Sequence, residues 1–130
     1  MSYCFSKILK DRTFDQVVEL TTAELKKEGF GILTSLDIKE TLKKKIDVDI
    51  EKYTILGACN PQFAYQAIQS ENKIGVFLPC NILVQEHPDG NIEVSAVDPI
   101  ASMSSVQNEK LGTIASDVQQ KLKRVIDHLS

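Results

Sequence analysis

The chain has 130 residues, a formal net charge of −3, 42% hydrophobic residues and 25% charged ones. That length suits one domain, residues 1–130, able to bury roughly two-thirds of its unfolded surface, and the composition excludes a disordered chain. The acidic balance offers no basic face for nucleic acid, and the longest apolar run, Gly75 to Val84, is too short and too interrupted by Pro79 and Asn81 to span a membrane.

Tyr3 to Leu9 alternates as a strand, with Tyr3 and Phe5 on one side and Cys4, Ser6 and Ile8 on the other. Thr13 followed by Gln16 is a capping-box signature, so a helix is expected to start there. Phe14, Val17, Val18, Thr21 and Leu25 form its apolar stripe, and Gly29 closes it. Phe30 to Leu36 supplies the next strand. Asp37 with Glu40 opens a second helix to about Lys45, Ile38 and Leu42 turned inward. The Lys43-Lys44-Lys45 triplet reads as a solvated helix end rather than a phosphate site, because Asp47, Asp49 and Glu51 follow. Residues 46–52 read as loop.

The next stretch carries the chemistry. In the strand-like run from Tyr53 to Pro61, Thr54 to Gly57 reads as a buried strand, and Asn60-Pro61 supplies an N-cap and a first helical position. Cys59 therefore sits at a strand-to-helix junction, beside free amides and the positive end of a helix dipole, a setting that suits anions and lowers thiol pKa. Phe63, Ala64, Ala67 and Ile68 mark a short helix. Gly75 to Gln85 reads as the longest strand, interrupted or kinked at Pro79, which would turn Cys80 and Asn81 out of the ladder. His87-Pro88-Asp89-Gly90-Asn91 is a turn, returning Ile92 to Val97 as a hairpin partner. Asp98-Pro99 ends that strand, Ala101 to Ser105 reads as loop, and Ser105 is expected to cap the last helix. Its stripe runs through Leu111, Ile114, Ala115, Val118, Leu122, Val125, Ile126 and Leu129. The order is βαβαβαββα, without a glycine-rich phosphate fingerprint after the first strand.

Gly57-Ala58-Cys59-Asn60-Pro61, Leu78-Pro79-Cys80-Asn81 and Asp98-Pro99 followed by Met103 together resemble family 302 of the domains of unknown function, small bacterial and archaeal proteins. The resemblance covers nearly the whole chain. It implies an α+β two-layer sandwich with helices on one side of a mostly antiparallel sheet, often paired as a homodimer. No reaction is established for that family.

Three functional readings follow from the residues. Cys59, Cys80 and Asp98 would form a thiol-redox or zinc site if strand ends bring them together, although CxxC and HxxxH pairs are absent. Alternatively Cys59, Asn60, Cys80, Asn81 and Asp98 bound a pocket for a small polar or anionic ligand, the leading reading. Third, the domain associates with itself through a sheet face or edge. The plain structural account is buried cysteine packing, Asn60 as a cap and Asn81 pinning an interrupted backbone. His87 and His128 read as surface residues, and Cys4 as packing. An odd cysteine count without a leader-like segment points to free thiols in a reducing cytoplasm.

Overall fold

The architecture grows from the hairpin. In a computed structural model that describes residues 2–130, Gly90 takes a φ of +87° and the His87 amide donates to the Asn91 carbonyl at 2.9 Å. Only a residue without a Cβ adopts that backbone freely. Strands β4 (Cys80–Glu86) and β5 (Ile92–Val97) then pair antiparallel, with Ile82 opposite Ala96 and Val84 opposite Val94. Strand β1 (Cys4–Leu9) adds beside β5, β3 (Tyr53–Cys59) beside β4, and β2 (Gly31–Asp37) beside β3. The sheet order is β1-β5-β4-β3-β2, and every neighbouring pair is antiparallel.

Helices α1 (Phe14–Lys27), α2 (Ile38–Ile46), α3 (Pro61–Ser70), α4 (Pro99–Ser102) and α5 (Glu109–His128) complete the chain. The expected α+β order is present, with the short α4 added. Side chains alternate along a strand, so Cys80, Ile82 and Val84 of β4 and Ile92, Val94 and Ala96 of β5 share one buried face. Val17 and Leu25 from α1 and Leu122 and Val125 from α5 close over it, each sealed from solvent. Burying each such side chain contributes about 1.5–3 kcal/mol.

The caps explain where α1 begins and ends. Thr13 Oγ1 accepts from the Gln16 amide at 3.1 Å while Gln16 Oε1 accepts from the Thr13 amide at 3.0 Å. At the other end Gly29 has φ +87°, its amide donating to the Lys26 carbonyl at 3.0 Å and that of Phe30 to the Leu25 carbonyl at 2.9 Å. This is the Schellman arrangement, and it delivers Phe30 to the interior.

Three boundaries differ from expectation. Ile74–Phe77 forms a 3-10 turn rather than the start of a strand; Pro79 has no N–H to give a ladder, so β4 begins after it, at Cys80. The cap of α5 is Asn108 rather than Ser105, its Oδ1 accepting from the amides of Lys110 at 3.1 Å and Leu111 at 3.3 Å. Its Nδ2 also donates to the Ser70 carbonyl at 2.7 Å, which ties α5 to the end of α3. The expected 101–105 loop overlaps the second half of α4, a helix capped by Asp98.

The opposite face of the sheet carries Leu36, Ile55, Leu83, Ser95 and Ser6 in one cross-strand row, and no helix among the described residues covers it. Gly57 is closed off there by Thr34 and by Pro79, whose Cγ lies 2.8 Å from where a Gly57 Cβ would stand. Among the described residues no helix is long and apolar enough to cross a membrane.

Candidate functional site

At the end of the sheet where β3 hands over to α3, the layers do not close completely. A cavity of about 230 Å³ remains between β3, β4, α3 and the first half of α5. Its cause lies in the sequence: Ala58, Ala64, Ala67 and Ala115 face it where larger residues fill the rest of the interior. Close packing elsewhere leaves few voids above the size of a water molecule. Phe30 and Phe63 contribute aromatic surface, and Leu78, Met103, Ile114 and Val118 supply the remaining apolar wall.

The cavity has a legible mouth. Between Ile32 and Thr34 the β2–β3 register shifts, a bulge that leaves Leu33 facing the cavity although 66% exposed. Bulges re-aim side chains in this way. Nothing in the sequence around Leu33 signals the bulge, and neither Leu33 nor Met103 was expected as a lining residue. The inward alanines were readable on the helix stripes, but a void is a property of their meeting.

Of the five expected site residues, the fold brings three to this cavity. Cys59, Asn60 and Cys80 line it; Asn81 and Asp98 do not. Cys80 is directly opposite Ala58 across the β3–β4 ladder, which turns it under the helices. Cys59 follows Ala58 at the end of β3, partly exposed and close enough to act on Cys80. Burial first, and the neighbouring Cys59 thiol second, push Cys80 up to about 11, so it stays protonated at neutral pH. All the cysteines are free.

Asn60 is occupied structurally. Its Oδ1 accepts from the Phe63 amide at 3.5 Å as the α3 cap, and its Nδ2 donates to the Glu28 carbonyl at 3.3 Å. Asn81, exposed on the helix-free face, pairs with Gly57. Asp98 caps α4 by accepting from the Ile100 amide at 3.0 Å and also accepts from Gln119 Nε2 at 3.1 Å. The expected convergence of Cys59, Cys80 and Asp98 therefore does not occur, because the carboxylate is spent on a helix start. Among the described residues no three His, Cys, Asp or Glu side chains are grouped to hold a metal ion. No buried side-chain nitrogen or oxygen among them lacks a partner.

A wider groove between α1 and α2 is lined by Lys39, Lys43, Lys44 and Lys52 together with Asp15, Asp37, Glu40 and Asp49. Its lysines are largely answered internally: Lys43 meets Asp47 at 2.7 Å and Lys44 meets Glu40 at 2.7 Å. The lysine triplet is a solvated helix end. His87 Nε2 lies 2.9 Å from Glu93 and His128 Nδ1 4.0 Å from Glu24, both remote from the cavity lining.

No curated protein matches the chain. Among solved structures, the crystal structure of an uncharacterized conserved DUF302 protein from Bacillus stearothermophilus is similar to it, with a TM-score of 0.92, 25% sequence identity and 100% of both chains covered. The family model described as "Domain of unknown function DUF302" matches residues 5–129, a span holding all the motifs that meet at or beside the cavity. The chain belongs to the DUF302 family.

Proposed function

We propose that this domain binds a small, predominantly apolar ligand in the cavity between β3, β4, α3 and α5. One observation carries the reading: a 230 Å³ space whose wall is hydrocarbon, aromatic and sulfur, while its amide side chain, Asn60, is already engaged. A dry cavity of about 150 Å³ with a similar wall admits benzene. The space here suits an aromatic molecule somewhat larger. This moves the ligand class away from the polar or anionic one that a helix start beside Asn60, Asn81 and Asp98 would suggest, because those groups are hydrogen-bonded elsewhere or face away.

Thermal unfolding in the presence of indole, naphthalene, phosphate and acetate tests the proposal. A ligand at a hundred times its Kd stabilises the native state by about 2.7 kcal/mol. Indole and naphthalene are expected to raise the melting temperature and the anions to leave it unchanged. Stabilisation by the anions alone would overturn the reading.

Self-association is a second reading, supported by the helix-free face. Leu36 and Ile8 there are each 52% exposed, and Leu36, Ile55 and Leu83 are neighbours in register. Within the strands that face carries one charged residue, Glu93, already met by His87, so a second copy placed against it by a two-fold axis meets little like-charge repulsion. Sedimentation of the wild-type chain is expected to show a dimer that Leu83→Glu converts to monomer. A monomeric wild type would end this reading.

A further inference from the structure

Met103 stands between two spaces. On one side lies the main cavity; on the other, a hollow of about 200 Å³ runs between the segment after α4 and the start of α5. Met103, Leu111 and Ala115 line both, so the two share a wall. The α5 part of that wall is fixed, with Leu111 and Ala115 buried. Met103 is different: it is the partly buried C-cap of α4, and its unbranched thioether turns about three bonds. Turning it aside joins the spaces. The main cavity alone falls below the roughly 300 Å³ at which ligand pockets begin, and the joined space exceeds it.

A second observation concerns Gly112, which lines the hollow and not the main cavity. Its φ is not in the left-handed range, and nothing lies within 4 Å of where its Cβ would stand. Neither turn geometry nor a close approach calls for glycine there, and glycine weakens a helix. A longer side chain at that position would occupy the hollow. The hollow also has an apolar wall and a polar outlet: Ile100 and Val106 on one hand, exposed Ser104 on the other. Ser104 Oγ donates to the Ala101 carbonyl at 2.9 Å, and its oxygen can accept a further hydrogen bond.

We propose that the ligand is elongated: an apolar ring in the main cavity carries a linear hydrocarbon chain that passes Met103 into the Gly112 hollow and ends in a hydroxyl beside Ser104. This rests on the ligand-binding reading and adds the ligand's shape, with Met103 as the residue that selects it. A flexible side chain yields to a chain one methylene wide, whereas a branched body of equal carbon count stays in the main cavity. Met103 also borders a space toward Val76 and Asn81. Gly112 does not line that space, so a substitution at Gly112 separates the two exits.

Calorimetric titration of the full chain with two isomers tests it. In ω-phenylpentanol the ring and the hydroxyl stand at opposite ends of a straight chain; para-tert-butylbenzyl alcohol holds the same atoms in a compact body. Each methylene that leaves water contributes about fourfold in affinity, so two in the hollow give the linear isomer a Kd about tenfold lower. Gly112→Leu fills the hollow, and Met103→Ile, stiff at χ1, bars the passage. Each is expected to bring the two Kd values within about twofold of one another. The ratio is read within each folded variant, so a general loss of stability does not mimic the effect. Equal Kd values in the wild type, or a tenfold preference that survives Gly112→Leu, overturns the proposal. Should indole raise the melting temperature while the isomers bind alike, the elongated shape falls and the ligand-binding reading survives. If neither indole nor either isomer binds, both fall.

Discussion

Helix α5 is one continuous apolar stripe with two different surroundings. Its second half, through Leu122, Val125 and Ile126 and on to the capping Leu129, packs into the interior against α1 and the sheet with almost no exposed area. Its first half, through Leu111, Ile114, Ala115 and Val118, borders the cavity. The difference comes from what faces the helix. Toward the second half the sheet presents Val84, Val94 and Ile92; toward the first, α3 and β3 present alanines and β4 presents Cys80. Equal hydrophobicity thus yields a filled core at one end and a vacant one at the other. Volume, not polarity, separates a structural region from a candidate site.

Four tests would break or sharpen that contrast. Leu122→Ala removes a fully buried side chain from the filled end, and denaturant unfolding is expected to show a loss of about 2–5 kcal/mol. A loss under about 1 kcal/mol would mean that this end also holds slack. Next, the same enlargement should act oppositely at the two ends. Ala96→Leu overpacks β5 and is expected to cost about 1–3 kcal/mol, whereas Ala67→Leu grows into the cavity and leaves stability unchanged or raises it by about 1 kcal/mol while abolishing indole binding. Equal destabilisation by both would show that the vacancy is not accessible to a new side chain.

Third, the alkaline limb of stability reports the environment of Cys80. An unfolded thiol titrates near 9.0 and the folded one near 11, so between those values the unfolded chain gives up its proton first and the native state loses stability as pH rises. Cys80→Ala is expected to flatten the difference over that window, measured as melting temperature against pH. An unchanged slope would place the Cys80 thiol in contact with water. The smallest effect is at the surface where the end of α1 meets α5. The Arg124 hydrogen bond, then the charges of Arg124 and Lys121, hold Glu28 below its usual 4.5 against opposing desolvation. With its folded value lowered, the contribution of Glu28 is present above pH 4.5 and fades as pH falls through that lower value. Arg124→Ala should weaken the acid limb slightly at low salt and not at all at high salt, as expected of an exposed pair.

What was legible in the sequence was local. The Thr13–Gln16 box, the Gly29 stop, the Asn60-Pro61 helix start and the Gly90 turn each depend on residues within a few positions, and each stands where its chemistry predicts. The α5 stripe was readable because twenty residues of one period leave little choice. Choices settled at long range were not readable. Asn108 outcompetes Ser105 as a cap partly through the Ser70 carbonyl, 38 residues away. The run before Cys80 is as apolar as a strand, and only Pro79 separates the two outcomes. The span between Cys59 and Cys80 fits one helix and a returning strand, so a return of the chain beside β3 is readable, but the register is not: Ala58, not Cys59, stands directly opposite Cys80. A carboxylate before proline, as at Asp98, reads equally as a helix cap and as a ligand, and here it is the cap.

The central claim is that the space beside Cys80 is dry and accepts apolar matter. Xenon-pressurised crystals test it most directly, since xenon enters vacant hydrocarbon cavities and not hydrated ones. The account predicts a xenon peak between Ala67, Leu78, Cys80 and Ile114 that disappears in Ala67→Leu. Ordered waters bonded to Cys59 and Asn60 in that space, with no xenon, would contradict it.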